Sequence, residues 1–238
     1  MTPVPFTVHA DLAHGLATAH PWGLGLDGIL AAQLWQQLLD HTDPHHVPWP
    51  STTPNPPDLP LPLARCDGDG HDAWHWAATC SWTEPGARRE VHHRYQPSPA
   101  ALFETLAGDQ LPGTIAPGTK FARREVPELV TVAGRVTWRG VGDPDRVQEL
   151  LDPVTAIGKG RQHGEGRVLR WTVIPDPDGD AWQWGHLHPD GSVGRPCPEA
   201  CLPSQMCHSN TPMMAGLRPP VMHPSRQHLI FTPSPMSA

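Results

Sequence analysis

A chain of 238 residues, 38% of them hydrophobic, is long enough for one large domain with a real core, and its balance is globular rather than disordered. A formal charge of −7 argues, taken whole, against a nucleic-acid binder, and five cysteines without framework spacing argue against a disulfide scaffold. No run of about 18 apolar residues exists, and residues 1–11 lack a basic and then apolar region, so neither a transmembrane helix nor a signal peptide is expected; the expected compartment is cytoplasmic, with no membrane partner.

Val4, Phe6, Val8 and Ala10 alternate over residues 4–12, which predicts a half-buried first strand. Leu26, Ile29, Leu30, Leu34, Leu38 and Leu39 recur at helical spacing, predicting a helix from Leu26 to about Asp40 with Asp27 as its cap. Prolines crowd residues 43–62, which reads as an extended surface connector. Trp74–Trp82 and Arg88–Tyr95, separated by Glu84-Pro85-Gly86-Ala87, predict a hairpin. In its second strand Arg88, Glu90, His92 and Arg94 share a face, and His92 with His93 reads as ordinary polar surface. Lys120, Arg123 and Arg124 surround Phe121 in an irregular stretch, a composition that suits either exposed bases or a solvated loop.

Leu129–Trp138 alternates as one long strand. Asp143-Pro144 opens a second helix, with Asp143 as cap and Val147, Leu150 and Leu151 as its buried stripe. Val168–Ile174 and Ala181–His188 read as two further strands, and residues 189–238 form a proline-rich C-terminal extension. The order predicts an α+β chain in the split βαβ pattern of a ferredoxin-like (RRM-like) fold, carrying a β-rich insertion between its halves.

Between the second helix and the next strand lies Ile157-Gly158-Lys159-Gly160-Arg161-Gln162-His163-Gly164-Glu165-Gly166-Arg167. Its four glycines free the backbone for positive φ, and its cations suit a phosphate backbone. It is neither a Walker A loop nor a dinucleotide fingerprint. A glycine-rich turn with solvated charges is the plain alternative. Residues 88–170 hold 13 of the 17 Lys and Arg against 10 of the 24 Asp and Glu, a local net of +3 within an acidic chain.

No catalytic residue is assigned, although His163 could act as a general base on an RNA 2′-OH with Lys159 or Arg161 beside it. Cys197, Cys201, Cys207 and His208 give C-x3-C-x5-C-H, a spacing that could hold zinc or leave free thiols. His186 and His188 share a face of the predicted strand but lack a visible third ligand, and no cofactor is expected.

Taken together, Leu26-Asp27-Gly28-Ile29-Leu30-Ala31, Leu61-Pro62-Leu63-Ala64-Arg65, the glycine-rich segment through Trp171, and Gly216-Leu217-Arg218-Pro219-Pro220 resemble the RAMP superfamily of CRISPR-associated proteins. More narrowly, the chain resembles the Csf-type "Cas five" subunit of type IV systems. It departs from that pattern at Gly25, where a histidine is expected, and at Val221-Met222, where aromatics are expected.

The resemblance implies a single RAMP domain over 1–238 with a thumb insertion at approximately 70–125. It implies a non-enzymatic RNA-binding subunit that clamps the 5′ handle of a crRNA and contacts the backbone, large and small subunits of an effector complex. Handle contacts carried over by position are Lys159, Arg161, Gln162, His163 and Arg167, with thumb contacts Arg88, Arg89, Arg94, Lys120, Arg123 and Arg124. Two further readings stand beside it: a metal-independent endoribonuclease processing precursor crRNA with His163, and a small zinc-binding interaction protein.

Overall fold

The strand alternation read at the N-terminus organises the molecule. In the computed structural model, which describes residues 2–41, 53–68, 73–84, 86–96, 124–208 and 212–235, β1 (Val4–Leu12) is the central strand of a three-stranded antiparallel sheet. Its neighbours are β7 (Arg135–Gly142) and β8 (Val168–Pro175), in register Val8↔Trp138 and Val8↔Val173. Phe6, Val8, Ala10, Val136, Trp138 and Trp171 form one face, since residues two apart in a strand share a side. That face is covered by α1 (Leu26–Asp40) through Leu26, Leu30 and Ala31, and by α2 (Pro144–Leu151) through Val147, Leu150 and Leu151. Each such Leu or Phe contributes about 1.5–3 kcal/mol by leaving water. The chain is thus mixed α+β, with small antiparallel sheets.

The opposite sheet face is polar. Asp11 stands across from Arg135 on one side and Arg170 on the other, accepting hydrogen bonds from both at 2.7 and 2.9 Å. The Arg135 bond, joined by that from Arg170, holds the Asp11 carboxyl below the usual carboxylate range. Because the native value lies below the unfolded one of about 3.9, its stabilisation is complete above about pH 5 and is lost as pH falls. Asp11→Asn therefore makes the acid limb of a stability–pH profile shallower, readable by denaturant titration at several pH values.

Local chemistry explains where the elements begin. Asp143 accepts from the Arg146 N–H at 3.1 Å and Pro144 takes the first turn of α2, as the cap and proline predict. Asp27 is not the cap of α1. Gly25 occupies that position without a side-chain bond, while Asp27 is buried and faces Arg195 at 3.8 Å.

Three sequence expectations are corrected. Ala181–His186 is not a strand but a helix, α3, because Asp180 caps it by accepting from the Gln183 N–H at 2.8 Å. Leu129–Trp138 is not one strand. β6 (Arg124–Val132) and β7 belong to different sheets, and the chain passes between them at Ala133-Gly134, where the Gly134 carbonyl accepts from the Leu12 N–H.

Nor does Trp74–Trp82 pair with Arg88–Tyr95. The partner of β5 (Arg88–Gln96) is β6, from Arg88↔Val132 to Gln96↔Arg124, and β2 (Leu16–Ala17) completes that sheet. Residues 74–82 keep only β4 (His75–Trp76), paired with β3 (Arg65–Cys66), and then follow the outer edge of β7 through bridges at Ala78↔Gly140 and Trp82↔Thr137. The buried guanidinium of Arg195 explains the irregularity: it donates to the Trp76, Ala78 and Leu217 carbonyls, replacing a strand partner.

The C-terminal portion holds α4 (Ser204–His208) and a hairpin of β9 (Pro212–Gly216) with β10 (Gln227–Phe231). It is tied to the connector by Arg226 and Arg218, both ion-paired to Asp58, with Trp74 lying between the Arg65 and Arg218 guanidiniums. No described helix is long and apolar enough to cross a membrane.

Candidate nucleic-acid interface

The glycine-rich segment leaves α2 and is pinned to the body by its backbone. The N–H of Ile157 donates to Gly166, that of Gly166 to Gly15 and that of Lys159 to Ala17. Between these anchors Arg161–His163 forms a single 3-10 turn flanked by Gly160 and Gly164 in the left-handed region. The glycine requirement is sharpest at Gly158 and Gly166. Their φ angles are +78° and +65°, and an added Cβ would run into the carbonyl oxygens of Ala17 and Ile157 respectively.

Gly166→Ala is accordingly expected to cost at least about 1–2 kcal/mol, the left-handed penalty before any clash, readable as a lowered denaturation midpoint.

The pinned backbone presents its side chains outward. Lys159, Arg161, Gln162, His163 and Arg167 are all exposed. None of Lys159, Arg161 and Arg167 has a side-chain hydrogen bond or ion pair among the described residues, whereas Arg135 and Arg170 on the sheet are held by Asp11. Three cations on one loop thus remain available to an external anion.

The β5–β6 hairpin meets this loop. His92 Nδ1 lies 2.9 Å from the Oε1 of buried Glu165, and His92 Nε2 lies 3.5 Å from Glu90. Arg88 shares that face of β5 and pairs with Glu90 at 3.3 Å; Arg89 is also exposed. Two basic stretches separated by some seventy residues in sequence are therefore neighbours. The His92–Glu165 contact escaped sequence reasoning, where His92 read as plain surface; only its face-sharing with Arg88 hinted at it. Arg94 and Arg124 stand on β5 and β6, while Lys120 and Arg123 lie outside the described residues.

His163 has one polar side-chain neighbour among the described residues, the Gln162 amide at 3.4 Å. No described carboxylate lies within hydrogen-bond reach of its ring.

Among the described residues, Cys197, Cys201 and Cys207 do not form a shared site. Cys197 is buried with its backbone bridged to Phe231, burial pushing its thiol up to about 12. The Cys207 thiol faces the Glu199 and Leu202 carbonyls, and the His208 side chain is not among those described. Cys201 instead meets Cys66, His75 and His186, all four ligand atoms falling within 4.8 Å of one another. His188, though close in sequence, is not in that group. Local spacing could not find this set, since its members come from β3, β4, the end of α3 and the turn Glu199–Cys201.

Compared with protein-family models the chain matches none, and no curated protein matches it either.

Proposed function

We propose that this chain is the RNA-binding subunit of a type IV-like CRISPR ribonucleoprotein, a RAMP-type domain that clamps the 5′ handle of the crRNA with its glycine-rich loop. The observation that carries the reading is the trio Lys159, Arg161 and Arg167, exposed and without a partner among the described residues, on a loop whose glycines let its backbone turn tightly against the body. Gln162 and His163 on the same turn supply hydrogen-bonding groups beside those cations.

The architecture supports it. An all-antiparallel order β7-β1-β8, one helix between β1 and the later strands and another between β7 and β8, fits a split βαβ unit; Leu63, Ala78 and Trp82, bridged along the β7 edge, stand where its fourth strand runs. The β5–β6 hairpin then corresponds to the thumb, with Arg88 and Arg89 extending the basic surface. Backbone, large and small subunits of the effector complex are the protein partners under this reading. His163 acts under this reading as a contact to phosphate or base rather than as a nuclease base.

The test is titration of the purified chain with a repeat-derived 5′-handle RNA and with a permuted RNA of equal length, without added divalent cation. The expected result is binding about tenfold tighter to the handle, with both RNAs intact. Equal affinity for the two removes the handle assignment, and cleavage lost in His163→Ala would favour the endoribonuclease instead.

A further inference from the structure

We propose that Cys66, His75, His186 and Cys201 form a closed Cys2His2 zinc site that staples the C-terminal portion to the β3–β4 pair. The distances fit the metal. With Zn–S of about 2.3 Å and Zn–N of about 2.0–2.1 Å, a tetrahedron has S···S edges of about 3.8 Å and N···N edges of about 3.3–3.4 Å. The Cys66 and Cys201 sulfurs are 3.7 Å apart and the His75 and His186 Nε2 atoms 3.1 Å apart. A sulfur separation of 3.7 Å is far beyond the roughly 2.0 Å of a disulfide.

The protonation pattern points the same way. His186 Nδ1 lies 2.8 Å from the Trp182 carbonyl, which can only accept, so Nδ1 carries the proton and Nε2 presents a lone pair. Nδ1 of buried His75 has no partner among the described residues. A divalent cation bound there would displace both thiol protons to solvent and convert facing lone pairs into coordination.

The surroundings are those of a structural site. Cys66 and His75 stand directly across from each other in the β3–β4 register. The Trp182 carbonyl orients His186, its indole N–H donates to the Cys201 carbonyl at 3.1 Å, and its ring stacks on His186. Val193, Cys197, Leu202 and Phe231 pack around the sulfurs. Four protein ligands leave no open position for catalysis, and two thiolates with two imidazoles in a tetrahedron select zinc. The tie joins segments more than a hundred residues apart, where closing a loop stabilises most.

The experiment measures metal in the full chain purified under reducing conditions, by elemental analysis and then by Co(II) replacement. One zinc per chain is expected, with the intense visible absorption of tetrahedral cobalt. Cys66→Ser and His186→Gln should lose the metal, while Cys207→Ser should retain it. Cys66→His keeps four ligands, so its sulfur-to-cobalt absorption should drop by about half. That variant covers the case in which Cys66→Ser fails to fold. Wild-type protein without stoichiometric metal, a Cys66–Cys201 disulfide in its place, or undiminished charge-transfer intensity in Cys66→His would overturn the proposal.

Discussion

Arg195→Met is expected to destabilise the protein by about 3–5 kcal/mol, the usual loss when one member of a buried charge pair is removed, read from chemical denaturation. Arg195 is one of the largest fully buried side chains, and its guanidinium donates to the carbonyls of Trp76, Ala78, Pro196 and Leu217. It also faces Asp27, whose burial raises its pKa against the opposing pull of Arg195. Removing the guanidinium takes a hydrogen-bond donor from the Ala78, Pro196 and Leu217 carbonyls and leaves the Asp27 carboxyl without its cation, while Trp76 keeps the Ala78 N–H. Adding Asp27→Leu to Arg195→Met should restore part of the loss, because it removes the uncompensated carboxyl. A double variant as unstable as the sum of the two singles would show that Asp27 and Arg195 do not interact.

The second large effect concerns binding rather than folding. Lys159→Ala, Arg161→Ala and Arg167→Ala combined are expected to reduce the slope of log affinity against log salt by about 2–3, at roughly 0.7–1 for each phosphate no longer neutralised. Folding stability should stay within about 0.5 kcal/mol for each substitution, because these side chains are exposed and partnerless among the described residues. Arg135→Ala is the internal control. Its guanidinium is held by Asp11 on the polar sheet face, so it should leave the RNA salt slope unchanged.

Elements whose sequence carries its own mechanism were legible. The alternation of Val4 to Ala10, the leucine spacing of α1 and the Asp143-Pro144 start of α2 each act within a few residues, and each reappears in the fold. What was not legible depends on distant groups. Residues 74–82 have strand-like composition, but Arg195, more than a hundred positions later, takes their carbonyls. Ala181–His186 has aromatics that suit a strand, yet the Asp180 cap decides for a helix.

The candidate sites divide the same way. Gly158 and Gly166 signal a tight loop locally, whereas its contact with the hairpin runs through His92 and Glu165, visible only in three dimensions. The C-x3-C-x5-C-H spacing points to a contiguous cluster. The cysteine chemistry instead joins Cys201 to Cys66 across 135 positions.

The central claim, that RNA lies on the glycine-rich loop beside the β5–β6 hairpin, is tested most directly by photo-crosslinking a repeat-derived 5′-handle RNA to the chain and mapping the adducts by mass spectrometry. Adducts within residues 158–167, with a second group on β5, are the predicted result. Adducts confined to the polar face of the β7-β1-β8 sheet, around His9 and Arg139, with the glycine-rich loop unlabelled, would contradict it.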